Sequence, residues 1–101
     1  MKFGLKDEYI TILKMIFQKH PSIEEVVIYG SRAKGSFKER SDLDLIIKNS
    51  KIERYTISDV LFDIDESDFP FMVDLQDFEL IKNKKLIEHI ERVGKPFYKT
   101  I

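Results

Sequence analysis

Two aspartates one residue apart, Asp42 and Asp44, stand at the head of an apolar run, and residues 32 to 41 separate them from a Gly-Ser pair, Gly30-Ser31, that follows another such run. In an extended strand residues i and i+2 point to the same face, so the two carboxylates project together while Leu43 and Leu45 project away. Side by side and unpaired they repel, unless solvent screens them or a cation lies between them. Mg2+ prefers such hard oxygen ligands and commonly bridges them to substrate phosphate. At the other end of the stretch, Gly30 lets backbone approach a ligand closely, and amides at the start of a helix suit phosphate oxygens. Ser31 adds a hydroxyl, and Arg32 and Lys34 add charge nearby. The predicted chemistry is metal-dependent reaction of a nucleoside triphosphate.

A third carboxylate sharpens this. Asp74 interrupts the apolar segment Phe71-Met72-Val73-Asp74-Leu75, where a charge is costly unless it is paired or metal-bound. Beside the strand of Asp44 it would face the same site, and three carboxylates can hold two metals about 3.5–4 Å apart. Taken alone, Gly-Ser is a capped turn, Asp-x-Asp an acidic strand entry and Asp74 an edge charge facing water; their joint occurrence favours a site. Other motifs fail on named residues. Gly30 and Gly35 have the Walker A gap, but Ser36 and Phe37 follow. Arg32 stands where a dinucleotide fingerprint needs Gly. Ile47 stands where an EF-hand needs Gly. A haloacid-dehalogenase-type phosphatase would have its apolar strand before the aspartates, where Glu39-Arg40-Ser41 stand.

The elements that must position these groups follow from periodicity. Tyr9, Ile10, Leu13, Ile16 and Phe17 recur at helical spacing over residues 6–20, and Pro21 ends that helix. Val26–Tyr29 reads as a buried strand, with Ser31 as N-cap of a short helix closed by Gly35. Leu43–Ile47 and Phe71–Leu75 read as further strands. Thr56–Glu66 reads as a helix opened by a Thr56/Asp59 capping box, and Leu80–Val93 as a last helix stopped by Gly94-Lys95-Pro96. The predicted fold is α/β (α+β), a small mixed sheet flanked by helices in one domain spanning residues 1–101.

Composition narrows the function classes. The apolar fraction is 43% and the charged fraction 35%, as in a folded globular domain. A net charge of -1 argues against dedicated nucleic-acid binding. The absence of Cys removes disulfide frameworks and Cys-based zinc sites. No signal-peptide pattern or membrane-length apolar run is read, so the expected location is the cytoplasm. Asp63-Ile64-Asp65 repeats the Asp-x-Asp spelling, but helical i and i+2 positions do not share a face, so it reads as a solvated acidic end. Lys82, Lys84 and Lys85 read as a solvated face. His20 and His89 show no ligand spacing. Phe69, Phe71, Phe78 and Phe97 read as core.

Gly30-Ser31, then Asp42-Leu43-Asp44, then Asp74 resembles the nucleotidyltransferase superfamily with the DNA polymerase β-type palm. The spellings Gly-Ser-Arg-Ala-Lys-Gly and Ser-Asp-Leu-Asp-Leu, with the small size, most resemble its minimal nucleotidyltransferases, the antitoxins of HEPN–MNT toxin–antitoxin pairs. The resemblance covers about residues 23–75, and the ending Gly94-Lys-Pro-Phe-Tyr is also similar. It implies a polymerase β-type palm with Ser31 and the following helix holding the triphosphate. It also implies that Asp42 and Asp44 ligate two Mg2+ ions while Asp74 completes the catalytic metal site. The implied reaction transfers AMP from ATP to a hydroxyl, a tyrosine of a HEPN-family toxin, with release of pyrophosphate. The chain has no evident acceptor-binding region, which points to a partner supplying the acceptor, in a hetero-oligomer or with self-association. Two alternatives stay open: a binding module that neutralises the toxin by complex formation, and transfer to a small-molecule acceptor. The nucleobase, the acceptor residue, the number of transfers and the oligomeric state are not fixed by the sequence.

Overall fold

A computed structural model describes residues 2–48 and 52–100. Four helices and four strands alternate along it: α1 (Asp7–Gln18), β1 (Glu25–Tyr29), α2 (Gly30–Lys34), β2 (Leu43–Ile47), α3 (Thr56–Asp65), β3 (Val73–Asp77), α4 (Lys84–Val93) and β4 (Lys95–Lys99). The strands form one sheet in the order β3-β2-β1-β4. β1 runs antiparallel to both neighbours, whereas β2 and β3 are parallel, so the sheet is mixed as predicted. Among the described residues no helix is long and apolar enough to cross a membrane.

Strand alternation sorts the core into two layers. Val26 and Ile28 of β1, Leu43, Leu45 and Ile47 of β2 and Leu75 of β3 meet Leu13, Ile16 and Phe17 of α1 and Val60 and Ile64 of α3. The opposite face sends Val27, Tyr29 and Ile46 against Ile90 of α4, with Leu86 and Val93 packed alongside. α4 covers only part of that second face. Tyr29, Asp44 and Asp74 lie in one register row across three strands of it.

Several predicted boundaries shift for physical reasons. The short helix begins at Gly30 itself, so Ser31 lies inside its first turn rather than capping it; Gly35 closes it with φ 83°. The Thr56/Asp59 capping box does not form: Thr56 is buried and its hydroxyl lies 3.3 Å from that of Ser22. β3 starts two residues late, because Phe71 packs edge-on against Tyr9 and Phe69 instead of entering the sheet. The last helix starts at Lys84, where the Asn83 side chain accepts from the amides of Lys85 and Leu86; a 3-10 turn over Phe78–Leu80 precedes it.

β4 is an addition to the predicted elements. Pro96 reads as a stop signal, yet Pro is tolerated on an edge strand, where a missing N–H leaves no ladder bond broken. Here it pairs with Val27 next to an irregularity between Val26 and Val27. His20 also has a defined place: its Nε2 lies 2.8 Å from Asp63, tying the end of α1 to α3. Asp63 is therefore paired rather than part of a purely solvated acidic end.

Candidate active site

The antiparallel β1–β2 pair and the parallel β2–β3 pair bring the end of β1 and the starts of β2 and β3 to one end of the sheet. The Gly30-Ser31 turn therefore follows β1 on one flank, Asp42 precedes β2 in the middle, and Met72 precedes β3 on the other flank. Asp44 pairs with Tyr29 on one side and with Asp74 on the other. All three carboxylates singled out in the sequence thus reach the same end of the same sheet.

Gly30 adopts φ 73°, a conformation that L side chains rarely take. A Cβ there would run into Oδ2 of Asp44. The turn and the carboxylate are consequently in close approach, with backbone rather than side chain between them. The Ser31 hydroxyl, half-buried, makes no hydrogen bond with the described residues. The first amides of α2 have no intrahelical acceptor, as in any helix.

Asp42 is exposed, Asp44 half-buried and Asp74 exposed. Burial raises the proton affinity of Asp44, and the charges of Asp74 and Asp42 raise it further, while His89 acts in the opposite sense. Within the described residues Asp44 has no hydrogen-bond donor, and Asp74 has only the Gln76 amide at 3.5 Å. Such partly desolvated, mutually repelling carboxylates gain most from a divalent cation. Among the described residues no group of three or more His, Asp or Glu side chains is placed to hold a metal ion by itself. An open set of one or two carboxylates is nevertheless what Mg2+ takes when substrate phosphates and water supply its other ligands. The donor set therefore fits that ion.

Arg32 departs from expectation. Its side chain is only 2% exposed, and its guanidinium donates to the carbonyls of Phe3 (2.9 Å), Glu39 (3.2 Å) and Ser41 (2.9 and 3.1 Å). The rings of Phe37 and Phe71 flank it at 5.2 and 4.7 Å. Its donors are committed to the N-terminal segment at Phe3 and to the loop that leads into Asp42, so it shapes the site without offering charge to a phosphate. Lys34 sits exposed in the last turn of α2.

Sequence reasoning missed three neighbours of the carboxylates. The Tyr29 hydroxyl accepts from Gln76 at 3.3 Å. Burial and the charges of Asp74 and Asp44 push its pKa up to about 12. His89 meets the Tyr29 ring edge-on, with centroids 6.2 Å apart. A signal for His89 was available, since it lies on the inward α4 stripe with Leu86, Ile90 and Val93, where a polar side chain is out of place. Gln76 carried no comparable signal.

A profile of the family described as "Polymerase beta, Nucleotidyltransferase" matches residues 12–100. The chain is 39% identical over 78 residues to a Haemophilus influenzae protein described as "Probable protein adenylyltransferase MntA", covering 76% of this chain and 68% of that protein. Among solved structures it is similar to a toxin-antitoxin crystal structure with AMP-PNP, at a TM-score of 0.69 and 18% identity, over 95% of this chain and 75% of that one. It is also similar to a chain in the complex of tri-AMPylated Shewanella oneidensis HEPN toxin with MNT antitoxin. There the TM-score is 0.60 and the identity 17%, over 91% of this chain and 70% of that one. At these identities the structural likeness speaks for the fold.

Proposed function

The chain belongs to the polymerase beta nucleotidyltransferase family, and on that premise we propose that residues 1–101 act as one domain that transfers AMP from ATP to a tyrosine hydroxyl of a HEPN-family toxin, and so serve as its antitoxin. The observation that carries this reading is the register row of Asp44 and Asp74 beside the Gly30 turn, with Asp42 at the same end of the sheet. The adenylyltransferase name of the 39%-identical relative supports the reaction. The AMPylated toxin and the AMP-PNP in the fold neighbours support the partner and the nucleotide. A reaction that consumes ATP fits the cytoplasm.

In this reading the Gly30 turn, the Ser31 hydroxyl and the first amides of α2 receive the triphosphate. Asp42 and Asp44 would hold Mg2+, with Asp74 completing the set. The bound ion would supply charge neutralisation for the phosphates and favour ionisation of the attacking hydroxyl. The acceptor oxygen bonds to the α-phosphorus as the bond to pyrophosphate breaks, and Asp74 takes the hydroxyl proton. His89 offsets part of the repulsion around Asp44, and Tyr29, in the same row, stays neutral at working pH.

Incubation with ATP labelled on the α-phosphate, Mg2+ and a HEPN toxin partner is expected to label the toxin. Equal labelling by an Asp42→Asn/Asp44→Asn double variant would overturn the assignment.

A further inference from the structure

The outer face of α1 and α3 lies on the side of the sheet away from the Tyr29–Asp44–Asp74 row. Three of the five large apolar side chains exposed among the described residues belong to these helices or their ends: Met15 at 58%, Tyr55 at 60% and Phe62 at 63%. Between the helices a cavity of about 330 Å³ is lined by Ile12, Met15 and Ile16 of α1, by Asp63 and Glu66 on the α3 side, and by Lys19. We propose that this face docks a basic amphipathic helix of a partner protein. An apolar side chain of that helix enters the cavity beside Met15, and its lysines and arginines meet the carboxylates of α3. This goes beyond the transfer reaction and stands whether or not the chain transfers AMP.

The groove is shaped for a helix. α1 and α3 run antiparallel, since Tyr9 meets Phe69 and His20 meets Asp63. The His20–Asp63 contact at 2.8 Å holds the end of α1 to α3, and Ile16 and Ile64 pack in the core beneath. The groove is thus formed before a partner arrives, which lowers the cost of binding. Tyr55 and Phe62 stand seven residues apart, so they share one stripe about 10 Å apart along the helix axis. Glu66 follows Phe62 by one turn and lines the cavity, which places Phe62 on its α3 rim. A partner helix laid along the groove repeats its own apolar side chains at the same spacing and meets Phe62, Met15 and the cavity with one stripe.

Charge selects the occupant. Residues 56–68 contain Asp59, Asp63, Asp65, Glu66 and Asp68 and no Lys or Arg, in a chain with 17 basic residues. Asp59, Asp65, Glu66 and Asp68 are exposed and form no ion pair among the described residues. Arg54 lies just outside this segment, over the Tyr55 ring at 5.2 Å. Carboxylates around an apolar centre repel a nucleic-acid backbone or an anionic lipid surface and favour lysine and arginine. A second copy docked about a two-fold axis would set the carboxylates of α3 against themselves. A helix docked here leaves Asp44 and Asp74 uncovered on the other face, so holding a partner and acting on it are separate tasks of separate surfaces.

The test is an NMR titration of the full chain with a synthetic helical peptide of about five turns, leucine along one stripe and lysine elsewhere. Signals of the Met15 methyl and the Phe62 ring are expected to shift. Phe62→Lys, at an exposed position, should weaken binding tenfold or more. Leu80→Lys, exposed in the turn that follows β3, should leave it unchanged. The same peptide with glutamate in place of lysine should bind at least tenfold more weakly; equal binding would make the face merely apolar and overturn the choice of occupant. Shifts confined to the Asp44 and Asp74 face, or no shifts, overturn the proposal as well. Sedimentation of the chain alone supplies the last outcome. A monomer at the titration concentration supports a foreign partner, whereas self-association abolished by Phe62→Lys would assign the face to a second copy and overturn the proposal.

Discussion

Gly30 and Asp44 share one space: Oδ2 of the aspartate occupies the position into which a side chain on the glycine would grow. Gly30→Ala would meet this clash and also the unfavourable φ of 73°. The expected outcome is a destabilisation of about 1–3 kcal/mol, read by denaturant unfolding. A loss of AMP transfer well beyond what the unfolded fraction explains should accompany it. Unchanged stability and activity would show that the close approach does not matter.

Asp44 has the opposite balance. Its folded pKa is raised, so the folded chain binds its proton more tightly than the unfolded chain does. Without metal, stability should therefore increase as pH falls from neutrality through the raised pKa toward the ordinary carboxylate value, because ionised Asp44 opposes folding. In Mg2+-free buffer at neutral pH, Asp44→Asn should melt a few degrees higher than the native chain. Saturating Mg2+ should shrink or reverse that difference. A variant that melts lower under both conditions would contradict this account of Asp44.

Removing Asp74 acts on chemistry more than on folding, because its side chain is exposed. Asp74→Asn should leave the melting temperature close to native. It should lower kcat for AMP transfer by roughly 100-fold or more, as losing a transition-state electrostatic stabiliser does. Single-turnover labelling at saturating ATP is the measurement.

Tyr29 gives a spectroscopic readout. Its pKa of about 12 lies above the ordinary phenol value of 10.0, so the neutral form is favoured in the folded state. The stability it contributes is full below pH 10 and is lost as pH rises from there toward 12. Ultraviolet titration should show a late phenol ionisation from Tyr29. Tyr29→Phe should abolish that step.

Arg32 tests a structural role. Arg32→Met keeps much of the volume between Phe37 and Phe71 but leaves the carbonyls of Phe3, Glu39 and Ser41 without their donor. The expected cost is about 2–4 kcal/mol, for breaking several hydrogen bonds to a buried charge. Lysine should rescue little, since one ammonium cannot span three separated carbonyls.

What the sequence made legible was local. The strand–turn–helix at 26–35 and the strand at 43–47 follow from β-branched runs and glycine, and the structure keeps them nearly to the residue. Placing Asp74 beside Asp44 was also within reach, since a buried-type strand bearing one carboxylate has few other places to go. The burial of Arg32 was not legible, because a cation beside a glycine turn reads as charge offered to a phosphate, and only tertiary packing supplies its carbonyls. The inward α4 stripe marks His89 as out of place, but its neighbours Tyr29 and Asp44 are distant in sequence and only the fold brings them to it. β4 is hidden by Pro96, which sequence rules treat as a break and which the outer edge of this sheet accepts.

The pairing of β4 with β1 has a consequence for how the chain can be handled. β1 is an inner strand only because residues near the C-terminal end cover it. A cut or truncation before Lys95 would turn Val26, Val27 and Ile28 into an open apolar edge, the kind of surface that seeds intermolecular sheet growth. Trimming those last residues is therefore predicted to produce aggregates before it produces a weaker enzyme, and light scattering would reveal the change ahead of any activity assay.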